Sequence, residues 1–346
     1  MEPTRSGREN AARENPSKPK GLFILDEEVF RSIYESLSEE IAERVELVAE
    51  GQTAASIVAR PELLRDVEVI FSGWGAPIFD EAFLAKAPRL RAVFYGAGSI
   101  RPLVTRAFWE RNISITSAYA MNAIPVAEFT LGTIFLSLKS TWRYIAEMKR
   151  LKASPAWIPI SGGYGSKIGL ISFGMIARKV RELLLPFDLE VWTYDPFLSA
   201  SQAEEARVKR ASLDEIFQHC DVISLHAPLL DETAKMVRGA HFERMKPHST
   251  FVNTARGAIV HEAEMIEVLA RRPEITAFLD VTSPEPPESD SLLYTLPNVV
   301  LTPHIAGSQG RELQRMGRLM IDEFDLWRSG KPMRWAITEE QSNKMA

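Results

Sequence analysis

The chain has 346 residues, 45% of them hydrophobic and 25% charged, which is ordinary globular material long enough for two domains of roughly 100–200 residues each. Lys and Arg number 41 against 46 Asp and Glu, a net charge of −5, so no broad nucleic-acid surface is expected. The single cysteine, Cys220, excludes an internal disulfide, and without the apolar core of a secretory leader the expected location is the cytoplasm.

In chain order, residues 1–20, rich in Arg, Glu, Asn, Pro and Lys, read as a disordered tail. Short apolar runs follow at Gly21 to Leu25, Val67 to Phe71, Leu90 to Tyr95 and Ile113 to Thr116, separated by helical patterns such as Asp80 to Lys86. Such alternation predicts βαβ units and a parallel sheet. A long helical pattern runs from Pro125 to about Leu151. Its most apolar part, Ile124 to Leu138, contains Glu128 and stops at Lys139, short of the ~20 apolar residues that cross a membrane. It reads as a buried helix, and no membrane association is expected. Gly162 to Lys167 looks superficially like a phosphate loop, but it precedes a strand instead of following one and reads as a connector.

A second alternation comprises Lys167 to Ser172, Glu190 to Tyr194, Asp221 to Leu225, Thr250 to Asn253, Thr276 to Asp280 and Val299 to Leu301. Six strands with intervening helices match a doubly wound nucleotide-binding sheet. The last helical pattern, Gln309 to Trp327, comes after that sheet is complete and is expected to return to the first domain. The expected fold is therefore α/β, with two Rossmann-like parallel-sheet domains, one inserted in the other. Residues 21–124 and 306–335 would form the outer domain, and residues 125–305 the inserted nucleotide-binding domain.

The turn after the first strand of the second alternation reads Ser172-Phe173-Gly174-Met175-Ile176-Ala177. It is a degenerate G-x-G-x-x-G in which Ser172 replaces the first glycine and Ala177 the third, while Gly174 keeps the position where backbone must approach a pyrophosphate. Asp195 ends the next strand 23 residues after Ser172, where a carboxylate binds ribose hydroxyls and repels a 2′-phosphate. These residues point to NAD rather than NADP.

Near the C-terminus three ionisable residues sit in short stiff stretches: Arg256 in NTARG, Glu285 in SPEPP and His304 in LTPHIAG. A guanidinium, a carboxylate and an imidazole supply what carbonyl reduction needs, namely a carboxylate anchor, a proton donor and a partner for the donor. Each of the three follows a strand of the nucleotide-binding sheet, at the carboxyl ends where such sheets bind ligands. Singly, each is more often a solvated or structural residue; the ordered set carries the functional reading. The six histidines, with nearby carboxylates and Cys220, show no metal-ligand spacing, and no metal is expected.

From about Arg89 to Arg328 the chain resembles the D-isomer-specific 2-hydroxyacid dehydrogenases, which include phosphoglycerate dehydrogenase and glyoxylate/hydroxypyruvate reductase. The matching stretches are Asp221 to Pro228, Thr233, Met245-Lys246-Pro247, Asn253 to Gly257, Asp280-Val281, Glu285-Pro286, Leu296 to Asn298 and Thr302 to Gly307. The resemblance implies that Arg256 holds the substrate carboxylate and carbonyl. It implies that His304 exchanges a proton with the substrate oxygen, and that Glu285 orients the imidazole and favours its protonated form. It further implies that Asp280 meets the carboxamide end of the nicotinamide. His226, Ala227, Pro228, Thr233, Thr254 and Ala255 would line the NAD cleft with Phe173 to Ile176, Asp195, Arg256, His304 and Gly307. Gly96-Ala97-Gly98 would offer backbone N–H groups to the substrate carboxylate. Apart from the resemblance, the residues themselves place Trp74 and Gly75 in the pocket wall and leave Arg101 able to meet a second anionic group, as a phosphorylated or dicarboxylic substrate needs. The expected assembly is a homodimer, with Phe129, Ile134, Phe135 and Leu138 as core or interface residues, and no regulatory module is expected after residue 330.

Two functions follow as alternatives. One is an NAD-dependent oxidoreductase acting on a D-2-hydroxyacid/2-oxoacid pair, with catalytic residues Arg256, Glu285 and His304. The other is a non-catalytic NAD-binding regulator of the CtBP type, motivated by the lost glycine at Ser172.

Overall fold

The structure is a computed structural model that describes residues 18–345. The tail expected over residues 1–20 lies outside the described residues up to residue 17, and Lys20 already belongs to a strand. The first sheet contains β1 (Lys20–Ile24), β2 (Glu46–Leu47), β3 (Val69–Ser72), β4 (Ala92–Tyr95) and β5 (Ser114–Ser117). All pairs are parallel, in the order β2-β1-β3-β4-β5, which is the flavodoxin-like doubly wound order. β3 and β4 are buried along their whole length, as expected for parallel strands covered on both faces.

The second sheet contains β6 (Lys167–Ile171), β7 (Glu190–Tyr194), β8 (Lys209–Arg210), β9 (Val222–Leu225), β10 (Thr250–Asn253), β11 (Thr276–Leu279) and β12 (Val299–Leu301). Its order is β12-β11-β10-β9-β6-β7-β8, all parallel. This is the dinucleotide-binding order with one further strand, so the sheet has seven strands where six were expected. The order reverses between β6 and β9, the switch point at which such sheets open a crevice.

The helix expected over 125–151 is two helices, Tyr119–Leu138 and Thr141–Leu151. Ser140 breaks them apart with a φ of 49°, and Pro125 lies inside the first. By length and composition that 20-residue helix could cross a membrane, so the expectation that no span is long enough was wrong on length. Ala123, Ala127, Thr130, Ile134 and Leu138 are nevertheless buried, and the helix packs against Met175–Leu184 and Glu312–Arg328.

After β12 the chain returns to the first sheet. Met316, Met320 and Phe324 of the helix Glu312–Arg328 enter the core of that sheet, with the Phe324 ring 5.4 Å from Phe94. Each such buried aromatic contributes roughly 1.5–3 kcal/mol. The buried Glu323 carboxylate accepts the N–H groups of Arg334 (3.2 Å) and Trp335 (3.0 Å), and the Ile337 N–H reaches Ile115. The second sheet is thus an insertion between β5 and this returning helix.

Candidate active site

Three consecutive strands of the second sheet deliver three side chains. Arg256 follows β10. The buried Asn253 ties that turn, its amide nitrogen donating to the Arg256 carbonyl (3.1 Å) while its amide oxygen accepts from the Ala255 N–H (3.0 Å). Gly257 comes next, and a Cβ there would lie 2.0 Å from the carbonyl carbon of Thr282. No other residue fits so close an approach, which brings the Arg256 turn against the segment that leads from β11 to Glu285. Burial pushes the Arg256 guanidinium below its ordinary value, and the charge of Glu285 opposes that shift.

His304 follows β12 in a left-handed conformation with a φ of 55°, uncommon for a residue with a side chain. Asp280, at the end of β11, holds it there. Its carboxylate accepts from Thr302 Oγ1 (2.6 Å), the Ile305 N–H (2.8 Å) and the Ala306 N–H (2.9 Å). The imidazole Nδ1 lies 2.6 Å from Glu285 Oε1. With Nδ1 donating to the carboxylate, Nε2 is the nitrogen left for a substrate oxygen. Both side chains remain accessible, His304 at 46% and Glu285 at 40%.

The facing surface comes from the first sheet. The loop Gly96–Arg101 follows β4, and Trp74 and Gly75 follow the neighbouring β3. Trp74 is 40% exposed, and Gly75 takes a φ of 82° with its Cα against the Asp26 carboxylate. The buried Ser117 hydroxyl faces the carbonyl oxygens of Ala97 (2.9 Å) and Gly98. In a planar trans peptide the N–H points opposite to the C=O, so the N–H groups of Gly98 and Ser99 are turned away from Ser117. Nothing lies within 4 Å of where a Gly98 Cβ would be. Arg101 Nη1 donates to the Leu229 carbonyl at 3.0 Å, joining this loop to the one that follows β9. The carboxyl ends of the two sheets therefore face each other across a cleft.

Whether this cleft suits a dinucleotide can be judged from its own residues. Ser172 adopts a φ of 70°, so the turn after β6 keeps the backbone form of the usual glycine despite the side chain. Gly174 caps the ten-residue helix Met175–Leu184 without a side-chain cap, and a Cβ there would meet nothing within 4 Å. That leaves open space before unpaired helix N–H groups, including those of Met175 and Ile176, which suits a diphosphate. Asp195 accepts from the N–H groups of Phe173 (2.7 Å) and Phe197 (2.8 Å) and keeps lone pairs for ribose hydroxyls.

At the switch point, His226 Nε2 and Thr254 Oγ1 are buried with no partner among the described residues, while Ala227 and Ala255 are buried beside them. Burial pushes His226 down to about 4. Asp280, with three bonds accepted, retains one acceptor position. Thr233 is engaged in its own turn, accepting from the Leu230 N–H (2.8 Å) and donating to the Pro228 carbonyl (2.5 Å). Gly307 packs against Asn122. The residues present fit NAD. Among the described residues, no group of three or more His, Cys, Asp or Glu is placed to hold a metal ion.

Residues 131–306 match the model of the D-isomer specific 2-hydroxyacid dehydrogenase NAD-binding domain. The chain belongs to the D-isomer-specific 2-hydroxyacid dehydrogenase family. The matched region is that family's NAD-binding domain. It is 32% identical over 246 residues to an (S)-sulfolactate dehydrogenase of Chromohalobacter salexigens, covering 70% of this chain and 79% of that protein. It is 30% identical over 297 residues to a D-3-phosphoglycerate dehydrogenase of Archaeoglobus fulgidus, covering 85% of this chain. The chain spans 53% of that archaeal protein's length. In fold it matches the NAD-complexed D-isomer specific 2-hydroxyacid dehydrogenase of Lactobacillus delbrueckii ssp. bulgaricus, with a TM-score of 0.75, 20% identity, and 92% of this chain and all of that one covered. None of these relatives lends support to the regulatory alternative.

Sequence reading missed the residues that shape the site from behind. Ser117 orients the Gly98 and Ser99 peptides, and Asn122 Oδ1 takes the Ser308 N–H at 2.8 Å, anchoring the His304 loop to the helix Tyr119–Leu138. Their only linear signal is a pair of small polar residues at the junction between β5 and that helix.

Proposed function

We propose that the protein interconverts a D-2-hydroxyacid and its 2-oxoacid with NAD. His304 is the acid/base, Glu285 its orienting partner and Arg256 the anchor for the substrate carboxylate. The observation that carries this reading is the 2.6 Å contact between His304 Nδ1 and Glu285 Oε1, made beside a half-buried arginine at the carboxyl ends of adjacent strands. In the reductive direction His304 Nε2 delivers a proton to the carbonyl oxygen. NAD, when bound, exchanges a hydride with the carbon that bears that oxygen. The guanidinium of Arg256 and the N–H groups of Gly98 and Ser99 hold the acid in place, with Trp74, Gly75 and Ala97 in the substrate pocket.

In this reading residues 21–124 and 306–335 form the substrate domain and 125–305 the NAD-binding domain. Phe173, Gly174, Met175 and Ile176 cradle the diphosphate and Asp195 the ribose. His226, Ala227, Pro228, Thr233, Thr254, Ala255, Asp280 and Gly307 line the nicotinamide half. The assembly proposed is a homodimer. The helix Thr141–Leu151 buries none of its residues, yet presents Ile145, Met148 and Leu151 on one stripe, followed by Trp157 at 93% exposure; a second copy of this helix would cover them. Buried, unpaired Cys220 suits a reducing cytoplasm.

The test is a spectrophotometric assay of the purified chain with NADH and a panel of 2-oxo acids. NADH oxidation by at least one acid is expected, and none above background would overturn the reading. Light scattering should give twice the mass of one chain.

A further inference from the structure

The loop Gly96–Arg101 carries a cation that the reaction at the carbonyl carbon does not use. Arg101 is exposed at the cleft, and among the described residues no carboxylate lies within ion-pair distance of it. Arg44, Arg318 and Arg106 of the first lobe do have such partners, in Asp325, Glu40 and Glu110, whereas Arg111, like Arg101, is held by main-chain carbonyls. What fixes Arg101 is neutral. Its Nη1 donates to the Leu229 carbonyl at 3.0 Å, and its own N–H faces Ser99 Oγ at 3.4 Å. A guanidinium held by a carbonyl keeps its full charge and leaves Nε and Nη2 free, the edge that binds an anion through two parallel bonds.

Position gives this charge its meaning. Three and two residues before Arg101, the Gly98 and Ser99 N–H groups are turned away from Ser117 and suit one carboxylate. Across the cleft, Leu229 directly follows Pro228 in the stretch assigned above to the nicotinamide half. The short loop therefore offers two separate anion-binding groups, where a 2-oxo acid with an apolar side chain needs one. Resting on the dehydrogenase reading, we propose that Arg101 binds a second acid group on the substrate. The substrate class is then a 2-oxo or 2-hydroxy acid bearing a carboxylate, sulfonate or phosphate a few atoms from the first.

The experiment compares kcat/KM for pyruvate and 2-oxobutyrate with that for oxaloacetate, 2-oxoglutarate, 3-sulfopyruvate and 3-phosphohydroxypyruvate, in the wild type and in Arg101→Met and Arg101→Lys. The wild type is expected to favour at least one two-acid substrate over pyruvate by about tenfold or more, the scale of a charge-assisted hydrogen bond. Which one it favours distinguishes carboxylate, sulfonate and phosphate. Arg101→Met should collapse that ratio towards one, Arg101→Lys should restore part of it, and NADH affinity should stay put. A wild type that prefers pyruvate or 2-oxobutyrate would overturn the proposal. So would a ratio unchanged in Arg101→Met, which would make the residue a latch between lobes. If no acid oxidises NADH, the dehydrogenase reading falls, and this proposal with it.

Discussion

Asp280 holds His304 through both of its ends. Its main-chain oxygen takes the His304 N–H at 2.9 Å, and its carboxylate takes the N–H groups of the two residues that follow, at 2.8 and 2.9 Å. A left-handed histidine persists only where its surroundings over-determine it, and here one buried side chain does so.

Replacing Asp280 by Asn puts an N–H donor against at least one of these N–H groups, whichever way the amide is turned. Leaving a buried donor unpaired costs about 1–3 kcal/mol, and the loop should shift to relieve it. We expect Asp280→Asn to lower kcat by about tenfold or more, with a smaller change in NADH affinity. Loss of NADH binding with kcat intact would sink the loop-clamp account.

Gly257 sits where a Cβ would be 2.0 Å from Thr282 backbone. In Gly257→Ala either the Arg256 turn or the Glu285 segment must move, and overpacking of this kind costs typically 1–3 kcal/mol. A lower urea midpoint with an unchanged slope is expected, together with a raised KM for the 2-oxo acid as Arg256 is displaced. Wild-type stability and KM in this variant would contradict the packing argument.

His226 links stability to pH. Burial lowers its folded-state value to about 4, against about 6.5 for an unfolded histidine. Between these values the unfolded chain binds the extra proton, so stability rises with pH through that window and is lost as pH falls from about 6.5 to about 4. The full contribution is about 3 kcal/mol. Urea unfolding of the wild type and of His226→Phe at pH 5 and pH 7 checks this. The variant should show a smaller difference between the two, and equal differences would refute the assignment.

The proposed catalytic trio and the parallel alternation were visible in the sequence because each rests on local chemistry. A short apolar run between helical patterns reads as a strand, and the three- to five-residue runs at Glu190–Tyr194, Thr250–Asn253 and Val299–Leu301 have the bounds expected of them. β2 and β8 were missed because two residues cannot show a period. The helix break at Ser140 went unseen because neither Gly nor Pro marks it, while Pro125 drew attention to a place where the helix continues. Ser117 and Asn122 act on partners that only the fold brings close, Asn122 on a residue 186 positions away. Linear spacing therefore marked the three side chains proposed to react and hid what holds them.

Ser172 shows the same division at the cofactor turn. The sequence marks it as a departure, and the structure gives it a φ of 70°, where a side chain costs about 1–2 kcal/mol that glycine does not incur. Its hydroxyl reaches Asp195 Oδ2 at 3.4 Å, a long bond that offsets little of that strain. Ser172→Gly should therefore raise unfolding stability by about 1 kcal/mol and leave NADH affinity unchanged or tighter, as measured by urea denaturation and NADH fluorescence titration. A destabilised variant with weaker NADH binding would mean that the hydroxyl contributes more to Asp195, and through it to the ribose site, than its length implies.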